Sequence, residues 1–354
     1  MRELKQQALE SLMGKVMTDV AGAMGVLMAY IGDQAQVYKA LEVAGSCDAS
    51  ELARQSGLDA RYLQEWLSAN AALGYIQFDS ESKLFSLSPE QAAVFAHEGQ
   101  ATCFQGFFEA VISQLASYDV AVDVFKSGEP RPWHKQLPCC FCGTDRFFRP
   151  GYAANLISSW LPALDGMNQL LEDGALVADV GCGHGSSTLI MAEHFPHSTF
   201  HGFDFHQASI DAAKNKAATL SLPNVKFDTV SATSIPENGY DLICIFDALH
   251  DMGDPVGAAR AFKQALSSRG RLMIVEPLAG DELSDNLNIL GAIFYSFSTT
   301  ICVPTSKAQD VGLQLGAQAG QKRLMQVLNK AGFNRVERVA QTPTNMVLEA
   351  FVQA

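Results

Sequence analysis

Apolar and polar positions follow two different periods along the chain. Over residues 1–45 apolar residues recur every three or four positions, as at Leu9, Leu12 and Val16, which predicts helix. From residue 175 onward short apolar runs alternate with amphipathic stretches, which predicts a mostly parallel sheet with helices on both faces. The predicted strands are 176–180, 199–203, 225–228, 241–246, 271–275, 333–339 and 346–352, with helices at 186–194, 207–219, 256–267 and 320–331.

The stretch from residue 45 to 100 has the pattern of a winged helix. Ser50 is placed to cap a short helix at 51–56, which Gly57 ends, and a second helix at 60–73 stops at Gly74. Two short strands follow at 75–78 and 84–87, joined by a polar turn. A helix–turn–helix followed by a hairpin is typical of winged-helix domains.

Charge argues against nucleic acid as the partner of this domain. Residues 1–100 contain 7 Lys and Arg against 13 Asp and Glu, and the whole chain carries a net charge of −13. Phosphate binding needs a basic face, so the predicted role is dimerisation and pocket building. An unpartnered helix carrying Leu12, Val16, Met24, Leu27 and Met28 would expose a large apolar patch, which predicts a homodimer.

The start of the chain and its cysteines indicate a cytoplasmic protein. The first ten residues are charged and polar, without the pattern of a secretory signal. The apolar stretch 20–31 is too short to span a bilayer and predicts a buried helix, so no membrane partner is expected. The eight cysteines are predicted to be free thiols. Cys139, Cys140 and Cys142 cluster near His134, but no second pair accompanies them, so a loop without metal is expected.

Three segments are predicted. Residues 1–100 form the N-terminal helices and winged-helix domain, 101–165 a helical connector that contributes to a substrate pocket, and 166–354 the catalytic domain. The connector is rich in aromatic residues, and Tyr152 and Trp160 are predicted to face the substrate.

The stretch "VADVGCGHGSST" places a glycine loop after the first strand of the sheet. Ligands bind at this edge of open α/β sheets, and glycines let the backbone approach them closely. In the dinucleotide fingerprint the third glycine would fall at 186, where the chain has Ser186. This disfavours a nicotinamide-dependent oxidoreductase, which remains an alternative. Asp204 ends the second strand, where a carboxylate can accept hydrogen bonds from ribose hydroxyls.

Four features follow one another along the chain: this loop, Asp204, "FDALHDMGDP" and "GRLMIVEP". In these features and their order the chain resembles the class I S-adenosylmethionine-dependent methyltransferases. The chain is most similar to winged-helix, small-molecule enzymes related to the O-methyltransferases, over about residues 45–95 and 150–352. The resemblance implies a Rossmann-like sheet of seven strands with an antiparallel last hairpin, after a mostly helical winged-helix domain. It also implies S-adenosyl-L-methionine as the cofactor.

The resemblance further implies roles for individual residues around the cofactor. The glycine loop would approach the methionine moiety, Asp179 would order the loop, and Asp204 would hold the ribose. Phe205 would border the adenine, and Ser231 stands where the family often has an acid. The remaining predicted cofactor contacts are Gly181, Cys182, Gly183, Gly185, Ala232 and Asp247.

His250 occupies the position of the family's general-base histidine, and Glu276 that of a glutamate that orients its ring. A structural pair of His250 and Asp251 is the alternative interpretation. Met252 replaces the family's tryptophan on the substrate wall. Since a thiol needs less help from a base than a phenol, both oxygen and sulfur remain open as the acceptor. A winged-helix regulator that senses a nucleoside is a further alternative.

Overall fold

The computed structural model describes residues 4–352 and divides into two compact units. The first unit extends to Ala116 and also includes Pro138–Pro150, and the second comprises Ser117–Leu137 and the chain from Gly151 onward. The predicted connector, 101–165, is therefore distributed over both units. One long helix, Pro138–Asn155, therefore begins in the first unit and ends in the second.

The first unit is mostly helical, with one short hairpin. Its elements are α1 (Gln6–Gln34), α2 (Val37–Ala44), α3 (Ala49–Ser56), α4 (Ala60–Ala72), β1 (Gln77–Phe78), β2 (Phe85–Ser86), α5 (Pro89–Phe95) and α6 (Gln105–Leu115). The hairpin is antiparallel, with Phe78 opposite Phe85. Helices α3 and α4 followed by this hairpin form the predicted winged helix.

Capping residues set where the two helices of the winged helix begin. The predicted cap, Ser50, is wrong: α3 starts one residue earlier than Ser50, and the Asp48 side chain accepts a hydrogen bond from the Glu51 amide. A cap must precede the first helical residue, which leaves Ser50 in the first turn. Gly57 ends α3 in the left-handed conformation, as predicted.

The face of α4 that would read DNA in a winged helix carries little positive charge. Its one basic residue, Arg61, pairs with Glu65 one turn further along the same helix. The opposite face is buried, and Trp66 donates a hydrogen bond to the Met28 carbonyl of α1 at 2.9 Å. The helix thus serves the packing of the unit, in agreement with the charge argument.

Helix α1 differs from its prediction. The stretch 20–31 was expected to be buried, but it is the end of a 29-residue helix on which Val20 is 54% and Met24 52% exposed. Within this chain only a narrow stripe that includes Ala29 and Gly32 packs against other helices. By length and composition, α1 and the helical run Ile289–Lys307 could each cross a membrane. Helices of water-soluble proteins pass the same test.

The cysteine cluster forms helix and not the predicted loop. It lies in the first turns of α8 (Pro138–Asn155), where Pro138 occupies a position that needs no amide donor. Cys140 is buried and Cys142 exposed, and none of the eight cysteines forms a disulfide. In the same helix Arg146 pairs with Asp33 of α1 at 2.8 Å and with Glu109 of α6 at 2.6 Å, which ties three helices of the first unit together.

The second unit contains the sheet. Its helices are α7 (Tyr118–Ser127), α9 (Met167–Asp173), α10 (Ser186–His194), α11 (Gln207–Leu220), α12 (Pro255–Ala265), α13 (Ile289–Phe297), α14 (Val303–Lys307) and α15 (Gly320–Ala331). Its strands are β3 (Leu176–Val180), β4 (Thr199–Asp204), β5 (Val225–Thr229), β6 (Tyr240–Phe246), β7 (Leu266–Pro277), β8 (Arg335–Gln341) and β9 (Asn345–Phe351).

Within residues 4–352 these seven strands form one sheet in the order β5-β4-β3-β6-β7-β9-β8. Strands β3 to β7 are parallel, and β9 runs antiparallel to both β7 and β8. The central strands are buried on both faces, as expected for a sheet covered by helices. The predicted fold class, including the antiparallel last hairpin, is confirmed. The strand order reverses between β3 and β6, so the carboxyl ends of these two strands flank the switch point.

Candidate active site

The glycine loop between β3 and α10 has left-handed backbone at all three predicted glycines. The φ angles of Gly181, Gly183 and Gly185 are 75°, 52° and 77°, which favours residues without a Cβ. The amides of Gly181 and Cys182 donate to the Phe203 carbonyl of β4, at 2.8 and 3.0 Å. These bonds fix the loop against the neighbouring strand.

The three glycines differ in what surrounds them. A Cβ on Gly185 would lie 2.7 Å from the Phe227 ring, and one on Gly181 would lie 2.9 Å from Cβ of Ala248. Gly183, in contrast, has no atom within 4 Å of that position. The middle of the loop therefore borders open space, in which a ligand can approach the backbone closely. This is the arrangement that the methionine end of S-adenosylmethionine would need.

Asp179 orders the start of α10 from beneath the loop. Its Oδ2 accepts hydrogen bonds from the Ser187 and Thr188 hydroxyls at 2.6 and 2.7 Å. Burial raises the pKa of Asp179 to about 6, although these two hydroxyls lower it. The predicted ordering role fits this geometry. Sequence reasoning missed the two hydroxyl residues, whose spacing of eight and nine positions from Asp179 was the available signal.

Asp204 lies at the end of β4 and connects the strand to the glycine loop. Its Oδ2 accepts from the Gly183 amide at 2.9 Å and its Oδ1 from the His206 amide at 2.8 Å. Burial raises the pKa of the carboxyl, and the two amides oppose that shift. The neighbouring Phe205 is 49% exposed, so its ring is free to cover an adenine. The residues present thus fit the predicted cofactor.

Ser231 and Ala232 lie beyond the end of β5, at the start of a single 3₁₀ turn. The Ser231 hydroxyl accepts from the Thr233 amide and contacts the Thr233 hydroxyl at 3.0 Å. It thus caps its own turn, and both predicted residues remain at least partly exposed. Their contact with an adenine stays a prediction.

Asp247 follows β6 with a φ of 48°, a conformation that aspartate adopts more readily than most residues. The Tyr152 hydroxyl donates to Oδ2 of Asp247 at 3.1 Å, and the side-chain amide of Asn345 donates to Oδ1 at 2.8 Å. Burial raises the pKa of Asp247 to about 8, and the nearby Glu276 carboxylate contributes to the shift. Asn345 was not predicted, since it lies 98 positions further along the chain.

The two predicted aromatic substrate contacts occupy different environments. Tyr152 is attached to Asp247 by its hydroxyl, and its ring packs against Phe246 at 5.3 Å. Trp160 is 1% exposed and stacks on Phe246 at 6.4 Å, so its ring belongs to the core of the second unit. Met252 lies 4.0 Å from the position of a Cβ on Gly181 and so borders the glycine loop.

His250 lies in the 3₁₀ turn Leu249–Asp251, directly after the segment that follows β6. Its Nδ1 is 2.5 Å from Oε2 of Glu276, at the end of β7. The other oxygen, Oε1, accepts from the amides of Leu249 and His250 at 2.9 and 3.3 Å. Glu276 is 1% exposed and thereby holds both the turn and the imidazole in place. The two residues that the sequence paired are brought together as predicted.

The second imidazole nitrogen faces two further groups. Nε2 of His250 is 3.3 Å from Oδ1 of Asp251, and the Cys302 thiol contacts both residues. Burial lowers the pKa of His250, but Glu276, Asp251 and Cys302 together raise it well above its usual range. The predicted pair of His250 and Asp251 exists. Cys302 was missed, because no local pattern links it to a histidine 52 positions earlier.

Comparison with known proteins identifies the two domains of the chain. Residues 171–332 match the family model described as a methyltransferase domain, and residues 22–97 match the Rv2258c-like winged HTH domain. The chain is a methyltransferase with a winged-helix domain. This confirms the predicted enzyme class and architecture, and with them S-adenosyl-L-methionine as the cofactor. The match lends no support to the nicotinamide-dependent alternative. No curated protein matches the chain.

Solved structures share this methyltransferase's fold at low identity. Human N-acetylserotonin methyltransferase in complex with SAM is 16% identical, with 99% of both chains covered and a TM-score of 0.72. The mitomycin 7-O-methyltransferase MmcR is 16% identical, covering 98% of this chain and 100% of that one, with a TM-score of 0.71. The N,N-8-amino-8-demethyl-D-riboflavin dimethyltransferase from Streptomyces davawensis is 18% identical over 98% and 99%, with a TM-score of 0.60. Enzymes named for O-methylation and for N-methylation thus share this fold.

Proposed function

We propose that this methyltransferase transfers a methyl group to a hydroxyl or thiol of a small molecule, with His250 as the group that accepts the acceptor's proton or positions it. S-adenosylmethionine supplies the methyl group when bound. The glycine loop and Asp204 would hold this cofactor, because Gly183 borders open space and Asp204 fixes the loop from the adjacent strand.

One observation carries the proposal: the turn that holds His250 lies against the glycine loop. Strands β3 and β6 are neighbours in the sheet, and both Ala248 and Met252 approach Gly181. Glu276 holds Nδ1 of His250, which leaves Nε2 as the nitrogen that can take a proton. A carboxylate that orients a histidine in this way is the arrangement of known acid–base sites.

The test is a panel of phenols and thiols assayed for release of S-adenosylhomocysteine, with His250→Ala beside the wild type. His194→Ala is the matched control, since His194 is exposed in the last turn of α10. For a phenol, His250→Ala should cut turnover about 10²–10⁴-fold where the pH is high enough for the imidazole to be neutral, and by less at lower pH, because Glu276, Asp251 and Cys302 raise the pKa of His250. For a thiol, the loss should shrink as the pH rises through the thiol's own pKa.

The panel also distinguishes the remaining interpretations. If the loss of turnover in His250→Ala with a thiol acceptor stays large at high pH, His250 positions the acceptor without removing its proton. Equal activity of His250→Ala and wild type would assign a structural role to His250. A chain that accepts only amines would contradict the proposed acceptor class.

We further propose a homodimer formed through the apolar stripe of α1, defined as Leu12, Val16, Met17, Val20 and Met24. Each of these side chains is at least half exposed within the chain. A contiguous apolar surface of this kind is typical of an interface. Light scattering should show a dimer for the wild type and a monomer for Val16→Glu/Val20→Glu. Val43→Glu, at a site that is 86% exposed on α2, is the control.

A cytoplasmic location is proposed on the cysteines. None of the eight forms a disulfide in the structure, and several, including Cys182 and Cys244, are buried in the second unit. Free thiols persist in reducing compartments. Fractionation of the cells that produce the protein, with alkylation of its thiols before lysis, tests this.

A further inference from the structure

Three potential metal ligands converge on one side of His250. Nε2 of His250 and Oδ1 of Asp251 are 3.3 Å apart, and these atoms and Sγ of Cys302 all lie within 4.8 Å of one another. His250 and Cys302 are buried and Asp251 is partly so. The first two residues come from the turn after β6. Cys302 comes from a π-helical turn, Ser298–Cys302, that joins α13 to α14.

One atom of this cluster lacks a hydrogen-bond partner. Oδ1 of Asp251 is buried and accepts no hydrogen bond from the described residues. Because Nδ1 of His250 faces Glu276, Nε2 is the ring nitrogen that a cation can reach, and the sulfur of Cys302 is a third ligand atom. A cation at the centre would give all three atoms a partner at once.

We propose that His250, Asp251 and Cys302 form a binding site for a zinc-like divalent cation. Imidazole, carboxylate and thiolate are the three ligand types that zinc uses, and three protein ligands leave a fourth position for solvent. Magnesium and calcium require oxygen donors, so the nitrogen and sulfur exclude them. Binding releases the protons of the ligands: Zn²⁺ and the Cys302 S–H give a zinc–thiolate bond and a free proton, and a proton on Nε2 of His250 leaves to solvent when that nitrogen binds the ion.

Glu276 completes the arrangement from behind the histidine. A metal-bound histidine typically donates its other ring N–H to a carboxylate, which fixes the tautomer and the orientation of the ring. The contact of 2.5 Å between Nδ1 of His250 and Oε2 of Glu276 has this geometry. The π-helical turn is a second notable feature, since such turns occur often at functional sites.

The metal and the acceptor's proton would compete for the same nitrogen. If His250 acts as proposed above, a bound zinc ion occupies its Nε2 and inhibits methyl transfer. The inhibition rests on that proposed function, whereas the binding of the metal rests only on the three ligands. The two can therefore fail separately.

The experiment titrates the untagged, metal-free protein with Co²⁺, which reports thiolate ligation through a sulfur-to-cobalt charge-transfer band. One equivalent per chain should bind and give this band together with visible bands of a four-coordinate ion, and Zn²⁺ should displace it. Cys302→Ser should abolish the charge-transfer band. Asp251→Asn keeps the thiol and should weaken affinity by about 10–100-fold or more, since even outer-shell changes have effects of this size.

Two controls address the other cysteines. Cys244→Ser removes a thiol buried in β6, and Cys139→Ser/Cys142→Ser removes the C-x-x-C pair of α8. Both should keep the band, and circular dichroism should confirm that every variant is folded. Absence of saturable binding at one equivalent would overturn the proposal. So would a band that survives in Cys302→Ser but disappears in Cys139→Ser/Cys142→Ser.

Discussion

The carboxyl ends of β3 and β6 are neighbours in the sheet, yet they are built in opposite ways. At the end of β3 the glycine loop is held within one strand–helix–strand unit: Asp179 accepts from Ser187 eight positions on, and Asp204 of β4 accepts from the amide of Gly183 21 positions before it. At the end of β6 the side chains of Asp247 and His250 contact partners from more distant elements, including Tyr152, Glu276 and Asn345, which lie 26 to 98 positions away. The first end is built within one stretch of the chain, and the second is assembled by the fold.

The comparison teaches which of the two ends performs which task. A backbone loop with one open glycine can bind a cofactor that many enzymes share, because it needs few specific side chains. The ionisable groups after β6 are largely buried and hold one another, so the fold can place a reactive nitrogen precisely enough for chemistry. The following experiments test this division.

His250→Ala should separate chemistry from binding. Turnover of a hydroxyl acceptor should fall by about 10²–10⁴-fold, because a positioned base is removed. The affinity for S-adenosylhomocysteine should change little, since the cofactor contacts belong to the end of β3. Steady-state kinetics and calorimetry measure the two quantities. A parallel loss of both would mean that the two strand ends do not divide the work.

Glycine-to-alanine substitutions at positions 183 and 185 should affect different properties: at 185 the stability of the fold, and at 183 the binding of the cofactor. Both residues have left-handed backbone, so the strain is similar, but only Gly185 has no room for a Cβ. We expect Gly185→Ala to lower the free energy of unfolding by about 1–3 kcal/mol more than Gly183→Ala, as overpacking does. Gly183→Ala should stay folded and bind S-adenosylhomocysteine more weakly.

Thermal unfolding with and without S-adenosylhomocysteine distinguishes these two effects. Equal unfolding temperatures of the two glycine variants would contradict the difference in packing. Full cofactor affinity in Gly183→Ala would show that the ligand does not use the open space above that residue.

Asp179→Asn should change how stability depends on pH. Burial raises the pKa of Asp179 to about 6, above its unfolded value, so its favourable contribution is present below about pH 4 and lost as the pH rises through 6. The variant carries no charge at this position. Its free energy of unfolding relative to wild type should therefore rise between pH 4 and 7, by about 3 kcal/mol at most.

Denaturant unfolding of both proteins across this pH range measures the difference. Ser187→Ala is a suitable control, since it removes one hydrogen bond to Asp179 but keeps the carboxyl. Curves for Asp179→Asn and wild type that run parallel over the whole range would show that the carboxyl does not titrate there.

Asp204→Ala should weaken the binding of the cofactor. The substitution leaves the amides of Gly183 and His206 without their carboxylate and removes the predicted ribose contact. Loss of hydrogen bonds to a charged group should weaken the binding of S-adenosylhomocysteine by about 1.5–3 kcal/mol, or about 10–100-fold. Calorimetry measures it, with circular dichroism as the check on folding. Near-normal affinity would remove Asp204 from the site.

The sequence by itself determined the sheet, the glycine loop and the acid at the end of β4. Strand and helix periods are local signals, and the largely buried strands β3, β4, β6 and β9 were predicted to within one residue at each end. Strand β7 begins five residues earlier than predicted, and the more exposed β8 is shifted by two residues. The pairing of His250 with Glu276 was also predicted, but only through the resemblance to a family. Spacing alone could not show that the ends of β6 and β7 lie side by side.

Only the tertiary structure decided the surroundings of those residues. The contacts of Asp247 with Tyr152 and Asn345, and of His250 with Cys302, join positions 52 to 98 residues apart. No periodic pattern encodes such pairs, since they depend on which strands and turns the sheet order brings together. The exposed face of α1 was mispredicted for a related reason. Burial is a property of the packed chain, which the apolar character of a segment does not settle.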